Sequence, residues 1–195
     1  MNDVAMSMRD ELVIDDLDTL RALSDRQRLR IMEAFARHGG EPRTVKDVAR
    51  ELGESPTKLY YHVNLLEQHG LLVVAESRLV SGILEKSYRP SARQFRVDRE
   101  LLSGAAAGGT SAVEVSEAIA QVVESGVEEL RTALASGAVV PGDGRNLVSY
   151  GTLHLTQEQA RRLRKALAEI VNTTDTTDAD AADYALTIAF HPVRR

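Results

Sequence analysis

Five side chains between Thr57 and Gln68 carry the most readable chemistry in this sequence. Placed at about 100° per residue, Thr57, Lys58, Tyr61, Asn64 and Gln68 fall on one face of a helix. That face offers an ammonium group, hydroxyl and amide hydrogen-bonding groups, and an aromatic ring. Such groups suit the phosphates and base edges of a duplex groove. Leu59, Val63 and Leu66 recur at i, i+4 and i+7 on the opposite side, an apolar stripe that has to meet a core. Ser55 and Pro56 are residues of a helix start, and Gly70 is a stop. A helix of this kind can lie in a DNA groove, provided that its neighbours hold it there.

The flanking segments supply such neighbours. Upstream, Thr44-Val45-Lys46-Asp47 has the form of a capping box, opening a short helix with Val48 and Leu52 inward. Gly53 ends that helix and a tight turn leads to Ser55, so the order is helix, turn, helix. Downstream, Leu71 to Arg78 and Ile83 to Arg89 read as two strands joined through Leu79 to Gly82. Leu84, Lys86 and Tyr88 alternate with Ile83, Glu85 and Ser87 along the second strand. A helix-turn-helix followed by a hairpin is a winged helix. The expected DNA contacts are Lys58 and Tyr61, with Ser55, Thr57 and Asn64 beside them. Arg43 and Lys46, at the start of the first helix, suit backbone phosphates. Arg78 and Lys86, expected at a basic wing tip, suit the flanking backbone. Tyr60 lies on the flank of the helix, where core packing fits equally well. His62 falls at the edge of the buried stripe, where a phosphate contact and a packing role both fit.

Residues 24 to 90 resemble the winged helix-turn-helix domain of ArsR-like bacterial transcription regulators. The run Tyr61-His62-Val63-x-x-Leu66-x-x-x-Gly70-Leu71 is similar to that family's recognition helix and its exit into the wing. Ile83-Leu84-Glu85-Lys86-Ser87-Tyr88-Arg89 resembles its second wing strand. The resemblance covers about a third of the chain and implies a dimeric, effector-responsive DNA-binding protein. Many such regulators sense metals through cysteine, and this sequence has none, so thiolate sensing does not carry over.

Composition bounds the alternatives. A chain of 195 residues holds one ordinary domain or two small ones, and 43% hydrophobic with 27% charged residues is the balance of a globular protein. The lack of cysteine removes disulfides, zinc fingers and thiol catalysis. Asp3, Asp10 and Glu11 stand where a signal peptide has cations, and no long apolar run follows, so the expectation is a cytoplasmic protein with no membrane partner. The net charge of −5 divides unevenly. Residues 24–96 carry 13 Lys and Arg against 9 Asp and Glu, a local excess of +4, and the rest of the chain carries 11 against 20, or −9. A basic module is thus set between acidic flanks, and the local field governs phosphate contact.

The remainder of the chain reads as support. Residues 1–14 are expected to be a flexible lead-in. Asp15 to Leu23 reads as a short helix, and Ser24-x-x-Gln27 as a capping box opening a helix to Arg37. Phe95 to Val97 reads as a further short strand. The winged-helix domain then spans 15–97, a linker 98–110, and a dimerisation and effector region 111–195. Ser111-x-x-Glu114 caps a long helix to about Ser136, with Val115, Ile119, Val122, Val123, Val127, Leu130 and Leu134 in one apolar stripe suited to a second subunit, and Gly126 permitting close approach. Leu147 to Leu155 and Tyr184 to Val193 read as strands around a helix that Thr156-x-x-Gln159 caps and that ends near Asn172. The fold class is therefore mainly α with a small β component: an N-terminal winged helix-turn-helix, a long linking helix and a C-terminal β-α-β unit.

Tyr150, His154, Tyr184 and Phe190 could line an apolar pocket for a small organic effector, although filling a small core suits the aromatics as well. His154 and His191 show no metal-ligand spacing, so no metal and no cofactor are expected. No phosphate-binding glycine loop, nucleophile elbow or carboxylate pair points to an enzyme. The functional expectation is a homodimeric DNA-binding regulator, a repressor on a palindromic operator. The alternative is a winged-helix protein-interaction module without sequence-specific DNA binding.

Overall fold

Local caps and stops set most element boundaries. A computed structural model describes residues 8–80, 82–102, 112–140, 147, 151–173, 184 and 186–191. In it α1 (Leu17–Ser24) starts from Asp16, whose carboxylate accepts from the Thr19 amide at 2.7 Å. α2 (Arg26–Ala36) starts from Asp25, which accepts from the Arg28 amide at 3.0 Å. The cap expected at Ser24 therefore falls one residue later, at Asp25. Ser24 instead ends α1, buried, with its hydroxyl donating to the Arg21 carbonyl. A two-residue strand, β2 (Arg43–Thr44), leads into α3 (Val45–Leu52). Here the capping box is complete: the Asp47 amide donates to Thr44 Oγ1 at 3.2 Å and the Thr44 amide to Asp47 Oδ2 at 3.4 Å. Gly53 ends α3 at φ +68°, a left-handed conformation that costs glycine little. α4 (Pro56–Gln68) follows after the turn, with Ser55 at its cap position but making no side-chain cap bond.

The apolar stripes converge on one core. Leu59, Val63 and Leu66 of α4 are fully buried, as are Ile31 and Phe35 of α2 and Val48 of α3. Burying a side chain of this size contributes roughly 1.5–3 kcal/mol, so these positions hold α4 at a fixed angle to its neighbours. The hairpin of β3 (Leu72–Val80) and β4 (Ile83–Pro90) adds to this core through Leu72 and Tyr88. The sheet order is β2-β4-β3, antiparallel throughout, with a bulge between Val74 and Glu76. The first strand runs two residues further toward the turn than the pattern suggested, to Val80, and the second starts at Ile83 as expected and ends one residue later, at Pro90, with Gly82 of the turn at φ +80°.

Two expectations about the ends of this domain change. Arg9–Ile14 is a strand, β1, where a flexible lead-in was expected; it pairs in parallel with β5 (Ala92–Val97), and Ile14 is buried. The strand read at Phe95 to Val97 is thus present and longer. A short helix, α5 (Arg99–Leu102), follows. The linker expected at 98–110 overlaps it, and residues 103–110 lie outside the described residues, as does the cap Ser111.

The chain divides into two compact units, Met1–Ser125 and Gly126–Arg195. In the first, the long helix α6 (Ala112–Ser136) contributes buried Val115 and Ala118 to the core, and Arg21 donates to Glu114 at 2.6 Å. In the second, Gly126 does permit a close approach, since a Cβ there would meet Thr187 Oγ1 at 2.1 Å. α7 (Gln157–Thr173) opens with the expected box: the Gln159 amide donates to Thr156 Oγ1 at 3.2 Å and the Thr156 amide to Gln159 Oε1 at 2.9 Å. The flanking strands differ from expectation. Among the described residues, 147, 151–155, 184 and 186–191 carry no strand, so the α+β class rests on the N-terminal sheets.

Candidate nucleic-acid interface

α4 exposes the face expected to meet DNA, as its periodicity requires. With Leu59, Val63 and Leu66 inward, the side chains of Ser55, Thr57, Lys58, Tyr60, Tyr61 and Asn64 are all exposed, and Tyr61 is 68% accessible. A tyrosine that open on a surface helix is available for stacking or for hydrogen bonding through its hydroxyl. His62 is half-buried, its ring edge-on to Tyr61 at 5.5 Å between centroids, and its Nδ1 is enclosed without a hydrogen-bond partner. His62 therefore belongs as much to the packed side of the helix as to the open one.

The cations around this face are held by carboxylates. Lys58 pairs with Glu54 at 3.4 Å, Lys46 with Glu85 at 2.7 Å, Arg78 with Glu76 at 2.7 Å, and Lys86 with Glu67 at 3.1 Å. Lys46–Glu85 ties α3 to the wing, and Lys86–Glu67 ties α4 to it. The hydrogen bond from Lys46 to Glu85 also raises the lysine's pKa, so this cation stays charged throughout the neutral range. The Tyr88 hydroxyl donates to Glu67 at 3.1 Å while its ring meets Phe35 edge-on at 6.2 Å. Burial, followed by that bond to Glu67, pushes the phenol well above its usual range, so Tyr88 remains a neutral donor.

Arg43 is placed differently from its neighbours. Its guanidinium pairs with Glu51 at 2.6 Å, donates to the Ala34 carbonyl at 2.8 Å, and is only 17% exposed. Arg37 reaches the same carboxylate at 2.6 Å. Burial alone would raise the pKa of Glu51, but the bonds from Arg43 and Arg37 outweigh it and hold the group below its ordinary value. Arg43 thus fastens α3 to α2, and a phosphate could reach it only by displacing those partners.

A groove of about 230 Å³ separates α4 from the wing, lined by residues that include Tyr60, Asn64, Leu84 and Lys86. The tip of the wing is not basic. Leu79, Val80, Ile83 and Leu84 occupy it, all exposed, while Arg78 and Lys86 sit further back. Sequence reasoning missed the carboxylate partners as well. Glu54 and Lys58 stand at i, i+4, a readable helical pair, but nothing local joins Lys46 to Glu85 or Lys86 to Glu67.

His154, Tyr184 and Phe190 are exposed, and Tyr150 lies outside the described residues. Among the described residues no cluster of three or more His, Cys, Asp or Glu could hold a metal ion. Nor is any described helix long and apolar enough to cross a membrane.

Residues 23–75 match a family model described as a helix-turn-helix domain. The match begins in the last turn of α1, covers α2, α3, the turn and α4, and ends within β3. No curated protein matches the chain. Fold and match together define a helix-turn-helix domain of the type found in DNA-binding regulators.

Proposed function

We propose that this chain is an ArsR-like transcription regulator that binds double-stranded DNA as a homodimer and acts as a repressor. The observation that carries the reading is the two-sided character of α4. Leu59, Val63 and Leu66 anchor it in a core, while Lys58, Tyr61 and Asn64 stand clear on the other side within the matched helix-turn-helix. In a dimer, two such helices would enter successive major grooves of a palindromic operator about 10 bp apart. Thr57, Ser55 and Tyr60 would complete the contact, with Lys46, Lys86 and Arg78 on the backbone and His62 at the edge. Arg43 is left out because its guanidinium already serves Glu51 and Ala34.

The C-terminal unit is assigned the second subunit and a small organic effector, with His154, Tyr184, Phe190 and Tyr150 the candidates for contacting it. Such a ligand can shift DNA binding only by its differential affinity for the DNA-competent and incompetent arrangements. The discriminating experiment is fluorescence anisotropy of the full-length protein with duplexes selected from a random-sequence pool, across a salt series. The reading expects enrichment of two half-sites and affinity falling steeply with salt. Absence of binding to any duplex at low ionic strength favours the protein-interaction alternative instead.

A further inference from the structure

β3 is an edge strand. The sheet order β2-β4-β3 leaves its outer side without a strand partner among the described residues, and every residue from Glu76 to Val80 is exposed. In an antiparallel ladder every second residue turns its amide and carbonyl away from the partner strand. Val80 stands opposite Ile83 across a two-residue turn, which makes them a hydrogen-bonded pair. By alternation, the residues whose amides and carbonyls point outward are Leu79 and Ser77. An open edge of this kind is a template for another strand, and proteins commonly blunt it with lysine, proline or a bulge. Here a bulge lies between Val74 and Glu76, and no lysine or proline interrupts the stretch from Glu76 to Val80.

The residue order along this edge fits a second copy of itself. With two copies laid antiparallel about a two-fold axis at Ser77, Glu76 of each lies opposite Arg78 of the other. Glu76 and Arg78 already pair along their own strand at 2.7 Å, so the joined edges set four charges in alternating order. Opposite charges across a strand pair stabilise it, and like charges do the reverse. A slip of two residues, the smallest that keeps the outward amides matched, brings Glu76 against Glu76 or Arg78 against Arg78. Charge therefore selects the register centred on Ser77. On the other face Leu79, 75% exposed beside Leu84 of its own hairpin, gains Ala75 of the second copy as a neighbour.

We propose that the outer edge of β3, from Ala75 to Leu79, pairs antiparallel with the same edge of a second copy, joining two wings in one sheet. Five residues per strand make an interface smaller than that of a stable complex, so the contact is weak and is populated where copies are already held close. It is separate from α6, and it needs no duplex. On neighbouring duplex sites it would make one bound copy favour the next.

The absence of cysteine allows a direct test in the full-length protein. The Cα atoms of a hydrogen-bonded antiparallel pair lie about 5.5 Å apart, within the range of about 4.4–6.8 Å that a disulfide spans. Ser77→Cys, oxidised with glutathione disulfide at raised protein concentration, should therefore yield a covalent dimer. Glu41→Cys, exposed beside β2, should yield about tenfold less or lower still. Adding Glu76→Arg or Arg78→Glu to Ser77→Cys sets like charges opposite each other and should slow trapping about tenfold. An equimolar mixture of those two variants should restore it, because only the mixed pair is complementary. A damaged hairpin does not give rescue by mixing. The proposal is overturned if Ser77→Cys gives no dimer, or if Glu41→Cys is trapped to the same extent. It is equally overturned if the single reversals trap as fast as Ser77→Cys, or if their mixture does no better than its components. With no duplex present, each of these outcomes leaves the duplex-binding reading of α4 to its own test.

Discussion

The two compact units of this chain obey the same local rules and end in different states. In the first, α2, α3 and α4 each bury an apolar stripe, and Phe35, Ile31, Leu59, Val63 and Leu66 are fully enclosed. In the second, the helix starts are just as well formed, with a complete capping box at Thr156 and Gln159. Yet among the described residues from Gly126 onward none is buried, and Val127, Leu130, Leu134, Ile170 and Phe190 are all exposed. Caps and periodicity are enough to make a helix; enclosing its stripe takes partners on every side. The contrast fits the proposed arrangement, in which the helix-turn-helix domain folds alone and a second subunit covers the apolar stripe of the other unit.

The sharpest way to break that contrast is to make one substitution in both places. Leu66→Ala removes a fully buried side chain and should cost about 2–5 kcal/mol, lowering the midpoint of the helix-turn-helix domain in a thermal melt by about 10 °C or more. Leu134→Ala, at a position 46% exposed, should shift the monomer's stability by no more than about 0.5 kcal/mol. Equal losses would mean that the second unit has a core of its own. The next largest effect is on assembly. Leu130→Asp with Leu134→Asp should leave the melting of the helix-turn-helix domain unchanged, but sedimentation should show a monomer and duplex affinity should drop about tenfold or more. A dimer that survives this change would place the subunit contact elsewhere.

How far the sequence reached follows the same division between local and distant causes. The box at Thr44 and Asp47, the left-handed stop at Gly53 and the buried stripe of α4 are all local, and each was legible. The cap of α2 moved from Ser24 to Asp25 because two capping residues stand side by side and burial of Ser24 in α1 decides between them. β1 was missed because its partner is β5: Arg9 lies opposite Ala92, too far along the chain for any pattern to reveal. Arg43 read as suited to a backbone phosphate because Glu51 and the Ala34 carbonyl meet it only once α2 and α3 are packed. The tip residues Leu79 to Leu84 were visible as letters, but a basic wing was expected from Arg78 and Lys86, and only the register shows that these stand behind the tip.

Smaller effects sharpen the picture of the helix-turn-helix domain. Glu51 has its pKa lowered by Arg43 and Arg37 against the opposing effect of burial, and Asp47 has its own lowered chiefly by the Thr44 hydroxyl. A carboxylate whose folded pKa lies below its unfolded value contributes stability above the unfolded value, near 4, and loses it as pH falls through the folded one. The unfolding midpoint should therefore decline as pH is lowered below about 4.5, and Glu51→Gln should be less stable at pH 7 with a shallower acid decline. A variant as acid-sensitive as the wild type would assign the decline to other groups. The smallest expected change is a gain. Glu85→Gln frees Lys46 and removes a negative charge facing the phosphates, so non-specific duplex affinity should rise about threefold, and that gain should vanish in the Lys46→Ala background. A loss of affinity would show instead that the pair's main role is to hold the wing in place.

The most direct measurement compares the wild type with Lys58→Ala/Tyr61→Ala on a selected duplex at matched salt, with sedimentation and melting run alongside. Both side chains are exposed, so the variant should keep its fold and oligomeric state while losing about a hundredfold or more in affinity. An unchanged affinity in a folded variant would contradict the assignment of α4 as the element that reads DNA.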